Sequence, residues 1–544
     1  MGSYDLRTQE RSRAIAALLS EISSDWYGAV SLSVYETARL VMLAPWLAGH
    51  RQRLLFLLER QHQDGTWSGP DGYGLVPTLS ATEALLSSLR RWPDGNGHAL
   101  DYGALVSAVD RGLQALFGWL RFDFQSRIPD TVAAELVIPA LVEQVNTHLD
   151  RLASEPLSGL GAWCGTGHLV VPSGVDGGLL ARLRDAVRHG EVLPTKVLHS
   201  LEAIGPVARG ASFVHPVHGA VGCSPAATAT WLDGRSHRAA VGYLEAIQQR
   251  GGGPVPGVTP ITVFERVWVL AALTAAGIHV VVPPGLLGSL HAACGEFGAS
   301  AGAGLCPDSD DTAGVLWLLA QWGTPRSAQC LWPYKVGAHF SCFLGERTPS
   351  TSTNAHILQA FCAHLKYDTS ERFRYPAAMD RLAGWLLDRQ EAGGNWWDKW
   401  HASPYYATAC CAIALYQYRR KKFSGAVRRA VEWLLDSQQK DGSWGRWGGT
   451  WEETAYALRT LLQTAGVRID NAIENAAVRG GVFLQRSIEE QEHVPLWHGK
   501  DLYTPSRVVR AEGLAALHLA YANPRIAARI DQELAKGSEQ DVAE

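Results

Sequence analysis

The sequence predicts an all-α protein, and three observations carry that expectation. Apolar residues recur at the i, i+3, i+4 and i+7 spacing of an amphipathic helix in one segment after another. Strand signals are sparse. Three of the helical segments end in the same turn, a Gln followed by Gly and then Trp at fixed spacing: Gln61, Gly65 and Trp67; Gln390, Gly394 and Trp396; Gln438, Gly442 and Trp444. A chain of 544 residues exceeds one ordinary core, so two or three domains of helix hairpins are expected.

In chain order the helical segments are "AIAALLSEI" (14–22), "RQRLLFLLERQ" (51–61), "LSATEALLSSLRRW" (79–92) and "TVAAELVIPALVEQV" (131–145) in the first half. In the second half they are "MDRLAGWLLDRQ" (379–390), "AVRRAVEWLLDSQQ" (426–439) and "TAYALRTLLQTAG" (454–466). Gly, Pro or Asp lies close to the ends of many of these segments, as helix caps and stops require. The longest stretch without Asp, Glu, Lys or Arg runs from Val267 to Gly295, but His279 and Pro283-Pro284 interrupt it. Its apolar run falls short of the ~20 residues a bilayer needs. It reads as a buried helix followed by a loop, and no transmembrane segment is expected.

Composition excludes some functions. Hydrophobic residues make up 47% of the chain, charged residues 19%, and the net charge is -4. That balance suits a globular cytoplasmic protein and supplies no basic field for nucleic acid. The nine cysteines are scattered apart from Cys410-Cys411, with no CxxC or zinc spacing, and read as reduced thiols. The opening "MGSYDLRTQERSRAIAALLSEIS" is charged throughout and lacks a signal peptide's apolar core.

The Gln–Gly–Trp turns have a structural reading. Gly suits a left-handed helix cap, the Gln amide can satisfy backbone groups of the next helix, and Trp packs over the joint. The stretch "GLCPDSDDTAGVLWLLAQWG" (304–323) is different, because Asp308, Asp310 and Asp311 crowd against an apolar helix. Acids in a first turn cap a helix and complement its dipole. Three carboxyls in four positions exceed that need, and so close together they cannot all ionise cheaply when buried, so one tends to keep its proton.

The repeats resemble the QW motifs of the terpene cyclase and protein prenyltransferase superfamily, and "DSDDTA" (308–313) is similar to the DxDD motif of class II terpene cyclases. Further segments resemble copalyl diphosphate synthase-like enzymes in the family's order: "LHSLEAIG" (198–205), "CSPAATATWL" (223–232), "PGVTPITVFERVW" (256–268), "STNAHIL" (352–358), "DKWHASPYYATA" (398–409) and "PLWHGKDLY" (495–503). The resemblance implies two α/α barrels with the active site between them. A β domain would take residues 1–22 and 262–544, and a γ domain, 23–261, would be inserted near its start. The Gly-rich "RGGGPVPG" (250–257) suits the crossing.

The activity implied is protonation-initiated cyclisation of geranylgeranyl diphosphate to a bicyclic copalyl-type diphosphate. Farnesyl diphosphate giving drimenyl diphosphate is the near alternative. A squalene–hopene-type cyclase and a non-catalytic α/α-barrel binding module are the rival readings. Asp310, the middle acid, would protonate the alkene, with Asp308 and Asp311 holding its geometry and charge. Asn354 would orient the proton or cap its own helix. No DDxxD follows, since Gly314 stands where the last Asp would be, so the diphosphate should be retained.

By the same resemblance Lys399, Lys500 and Arg182 or Arg184 are candidates to hold the diphosphate, with one Mg2+ carried by that group and a carboxylate. Trp317, Trp332, Trp397 and Tyr405, together with Trp396, Tyr406 and Trp497, are candidates to line the cavity and stabilise cations by their faces. His199 would be half of a base dyad whose usual Asn is replaced by Gly257, or simply a packed core residue. A class I terpene synthase or a phosphatase is the implied consumer of the product.

Overall fold

The computed structural model describes residues 3–92, 101–121, 128–234, 236–367, 374–466, 469–490 and 492–541. Helices dominate, and the strands among the described residues are two short antiparallel ladders, Lys335–Val336 with His339–Phe340 and Trp497–His498 with Leu502–Tyr503. No described helix is long and apolar enough to cross a membrane.

Six helices pack in succession and close a ring: Thr262–Ala275, Ser309–Gln321, Thr351–His364, Pro404–Asp436, Trp451–Thr464 and Ser506–Tyr521. The Pro404–Asp436 helix breaks at Arg419 (φ -149°, ψ 77°), so its second half leaves the ring. A second ring is closed by Val34–Leu43, Leu75–Arg90, Ala134–Ser154, the 3-10 segment Thr195–Ala203 and Pro225–Trp231. Each ring has its own core. Leu18 and Ile22 join buried side chains between 267 and 515 in one, and those between 34 and 255 form the other.

Polar caps set where the ring helices begin. Ser33, Ser224, Asp308, Ser350, Ser403 and Thr450 each turn an extended backbone into a helix and accept a hydrogen bond from a first-turn amide. Several of these starts meet at the contact between the barrels. Ser33 Oγ donates to Asp501 at 2.8 Å, Val132 N to Gly499 O at 2.9 Å, and Cys223 Sγ to Ala303 O at 3.1 Å.

The three Gln–Gly–Trp turns are one device used three times. The Trp ring N–H donates back to its own outer helix, to Leu57 O, Leu386 O and Leu434 O, each at 2.7 Å. The Trp backbone N–H donates to a threonine of the next ring helix, Thr78, Thr408 or Thr454, each at 3.0 Å. The Gln amide donates to the turn's own Gly carbonyl and to the next outer helix at Ala108, Ala426 or Ala476. Each turn thus staples three helices while burying its Trp completely.

Candidate active site

The Ser309–Gln321 helix carries the three acids in its cap and first turn. Asp308 Oδ1 accepts the amides of Asp310 at 3.0 Å and Asp311 at 2.7 Å. The loop before it is held by Asp308 N donating to Ala299 O at 2.9 Å and Ala299 N to Thr312 Oγ1 at 2.8 Å. Ser309 ties the same turn to the neighbouring loop, its amide donating to Cys342 O at 3.0 Å and its hydroxyl to Ser341 O at 2.8 Å. The backbone of the acid cluster is therefore fixed on two sides.

The three carboxyls have different surroundings. Asp308 and Asp311 are buried, whereas the Asp310 side chain keeps 15% of its surface accessible. Burial, reinforced by the Asp311 and Asp310 charges, pushes the Asp308 carboxyl well above the usual range. Burial and the Asp310 charge likewise raise Asp311 to about 7, although it accepts the Trp268 ring N–H at 3.0 Å. Asp308 and Asp311 are thereby biased toward holding protons near neutral pH.

Asp310 is held by a residue that the sequence reading missed. His356 Nδ1 lies 2.8 Å from Asp310 Oδ1, and the Trp268 ring packs against the imidazole with centroids 4.4 Å apart. Burial would lower the His356 pKa, but the Asp310 carboxylate opposes it and, with Cys410, raises it to about 10. With Asp310 ionised, a protonated His356 donates to its Oδ1 and not to Oδ2. His356 lies two residues past Asn354 in the same matched segment, so the signal was present but attached to the wrong side chain.

Asn354 does not reach Asp310. Its amide clamps the Lys335–Phe340 hairpin to its own helix, accepting Phe340 N at 2.8 Å and donating to Phe340 O at 2.9 Å and Ser350 O at 2.7 Å. The cap of that helix is Ser350.

Behind the Asp310–His356 pair, inside the C-terminal barrel, lies a cavity of about 90 Å3 lined by Trp268, Trp317, His356, Tyr406, Tyr456 and Trp497, among others. Its far wall is polar, with Arg459 paired to Glu512. Of the aromatic candidates, Trp317 lines this cavity, and so do Tyr406 and Trp497. Trp332 instead packs among Phe340, Phe361 and Tyr375. Trp397 is 43% exposed beneath Arg446, and Tyr405 packs on Trp433.

The basic candidates separate as well. Lys399 sits at the junction, paired with Glu346 at 3.2 Å, while its carbonyl accepts His498, which meets Tyr73 of the other barrel. Lys500 is not an open rim cation. Its ammonium is buried and donates to Glu36 at 2.5 Å, Glu202 at 2.7 Å and Ser224 at 2.9 Å. Arg182 forms an exposed pair with Asp176, and Arg184 bonds Glu143 and the Ile204 carbonyl within the N-terminal barrel. Neither reaches the junction. Lys196 does, donating to Leu344 O at 3.3 Å, and it stands three residues before His199.

His199 Nδ1 is 2.6 Å from Gly222 O, a carbonyl that can only accept, so the proton sits on Nδ1 and Nε2 is an acceptor. Burial, then the Lys500 charge, depress it to about 3. A β-carbon at Gly257 would stand in ordinary contact with Ser33, at 3.6 Å, and Asp501, at 3.8 Å.

Residues 346–500 match the squalene-hopene cyclase C-terminal domain. The chain is 46% identical to the ent-copalyl diphosphate synthase of Streptomyces sp. (strain KO-3988), over 92% of this chain and 94% of that protein. It is 39% identical to the copalyl diphosphate synthase of Streptomyces cyslabdanicus, over 93% of this chain and 95% of that protein. The solved ent-copalyl diphosphate synthase from Streptomyces platensis superposes with a TM-score of 0.88 at 45% identity, covering 94% of this chain and 99% of that one. With its acid-bearing helix, paired barrels and near full-length relatives, this chain belongs to the class II diterpene cyclases of the copalyl diphosphate synthase type.

Proposed function

We propose that the protein protonates the terminal alkene of geranylgeranyl diphosphate and closes it to a bicyclic copalyl-type diphosphate. The observation that carries this reading is the Asp310–His356 pair at a barrel junction, with protons retained by the carboxyls beside it. A hydrogen bond from charged His356 to Oδ1 makes a proton on Oδ2 more acidic, which suits transfer to a weakly basic alkene. The relatives' names supply the substrate class.

The cavity of about 90 Å3 is too small for a C20 chain, which supports placing the substrate on the junction side of Asp310. The diphosphate then lies near Lys196 and Lys399. Among the described residues no group of three or more His, Cys, Asp or Glu side chains is set to hold a metal. We place Mg2+ with the substrate's diphosphate and a carboxylate of the protein. His199, with Nε2 left as an acceptor for a water, is our candidate to help take the final proton. The product, its diphosphate intact, suits a second enzyme that ionises or hydrolyses that group.

The test is incubation of the purified protein with geranylgeranyl and farnesyl diphosphates. The expected result is a bicyclic C20 diphosphate of unchanged mass, with free alcohol only after phosphatase treatment. Pyrophosphate released in step with turnover overturns the reading. Asp310→Asn is expected to fold normally and lose at least about a thousandfold in rate.

A further inference from the structure

The N-terminal barrel holds a second, larger cavity, of about 550 Å3, that the cyclisation itself does not use. It is bounded by helices Val34–Leu43, Leu75–Arg90 and Ala134–Ser154 among others, and its outer rim includes the exposed Arg151, Arg209 and Gly234. At roughly 10–15 Å3 of such volume per molecule it has room for a chain of waters. Two wall residues carry buried oxygens with no hydrogen-bond partner, Glu202 Oε2 and Thr230 Oγ1. Such atoms are expected to be met by water or by a proton.

Glu202 stands between this cavity and the barrel junction, where Lys500 of the other barrel meets it. Its Oε1 faces the junction and accepts Lys500 Nζ and the Tyr35 hydroxyl, both at 2.7 Å. Glu36, the other carboxylate on Lys500, is fully engaged: Oε1 takes Lys500 and Ser224, and Oε2 takes the Ala226 amide at 2.6 Å. The titratable and charged groups around Glu202 are thus Lys500, Glu36, Tyr35 and His199 on the junction side, and Glu83, His148, Glu143, Arg184 and Arg209 on the cavity side. Of the two carboxylates on Lys500, only Glu202 combines an unoccupied oxygen with a place on the cavity wall.

The proton balance of cyclisation needs such a group. Asp310 gives one proton to the alkene. Later the cation loses one as a C–H electron pair becomes the product double bond. His199 is too weak a base beside Lys500 to keep it. We infer that Glu202 collects the proton released at the end of cyclisation and passes it, through the cavity of the N-terminal barrel, to solvent. The inference rests on the cyclase reading above. Asp310 is reloaded from solvent separately, so no oxidant or co-reactant is needed.

A carbocation surrenders its proton even to a weak base, so the first turnover does not require Glu202. Resetting the site does. Two variants test this, Glu202→Gln, which removes the acceptor, and Ala229→Leu, which fills the cavity from its wall and leaves Glu202 in place. Each is checked for an unchanged melting profile, then assayed with enzyme in excess and with substrate in excess, in H2O and D2O.

The expected outcome is a first-turnover rate within about twofold of wild type. The steady-state rate falls at least about tenfold, with a burst near one product per enzyme, a larger solvent isotope effect and partial rescue by imidazole. First-turnover and steady-state rates falling together in Glu202→Gln, with Ala229→Leu unaffected, overturn the inference and leave Glu202 as a structural pin. Unchanged steady-state rates in both variants overturn it too. A wild-type protein that makes no cyclic diphosphate from any prenyl diphosphate removes the cyclase reading instead.

Discussion

At the residue scale, the acid depends on a division of labour within a few ångströms. Asp308 spends one oxygen on helix amides, Asp311 takes the Trp268 N–H, and His356 occupies one oxygen of Asp310. His356→Phe is therefore expected to lower kcat by about a hundredfold or more while leaving KM nearly unchanged, because it removes a partner of the acid and not of the diphosphate. An equal loss in kcat for the Asn354→Ala variant would point instead to general disruption of that helix.

The carboxyls also set a pH limb. With Asp311 raised to about 7, increasing pH strips a proton from the coupled cluster, so kcat should fall above about pH 7 by roughly a decade per unit. His356, near 10, stays charged across that range. A rate that is flat from pH 6 to 9 would exclude this cluster as the proton source. The acidic triplet was legible from sequence because three acids in four positions exceed what capping needs, although Asp308 does cap the helix. The partner of Asp310 was not, since which of Asn354 and His356 points at it depends on helix phase, and two residues differ by about 200° around a helix.

At the scale of the element, the Gln–Gly–Trp turn was read correctly as a staple because its parts lie within a dozen residues and need no long-range information. Its glycines have two reasons to be glycine. Gly394 has φ +104°, and a β-carbon there would stand 2.3 Å from Arg429 O; at Gly442, φ is +94° and the carbonyl of Arg479 lies 2.6 Å away. Gly394→Ala is expected to cost more than the ~1–2 kcal/mol of a left-handed L-residue, because the neighbouring outer helix must also move. Denaturant titration measures it, and an unchanged midpoint would contradict the packing described. The aromatic candidates fared less evenly. Trp332, Trp397 and Tyr405 sit in or near matched segments but face cores or surface, and proximity in sequence to a motif says nothing about which face of a helix a ring occupies.

At the scale of the whole molecule, the Trp497–Tyr503 hairpin joins the two barrels by driving Lys500 into the other one. Burial works against this ammonium, yet the two glutamates raise its pKa, and burial also lifts Glu36 to about 7. Lys500→Met leaves two buried carboxylates facing one another and should destabilise the protein by about 3–5 kcal/mol. Adding Glu36→Gln to that variant should recover part of the loss, and a double-mutant cycle on chemical unfolding checks the coupling. Sequence placed Lys500 in a matched segment but could not show its partners, which come from residues 36, 202 and 224 of the other barrel.

The Ser3–Ser24 helix belongs to the C-terminal barrel, where Arg7 pairs with Asp531 and Glu21 takes Arg507 and Arg510. Between those partners the whole N-terminal barrel is made. At the usual 5–20 residues per second of synthesis, the helix leaves the ribosome about 12–50 s before Thr262–Ala275, whose Arg266 bonds Ile22 O, and about 25–100 s before Ser506–Tyr521, which it also packs against. A complete neighbouring barrel can mature in that interval while this helix waits with its Leu18 and Ile22 side uncovered. Its yield in a cell should therefore respond to chaperones that shield a short amphipathic segment during translation, more than to the intrinsic stability of either finished barrel.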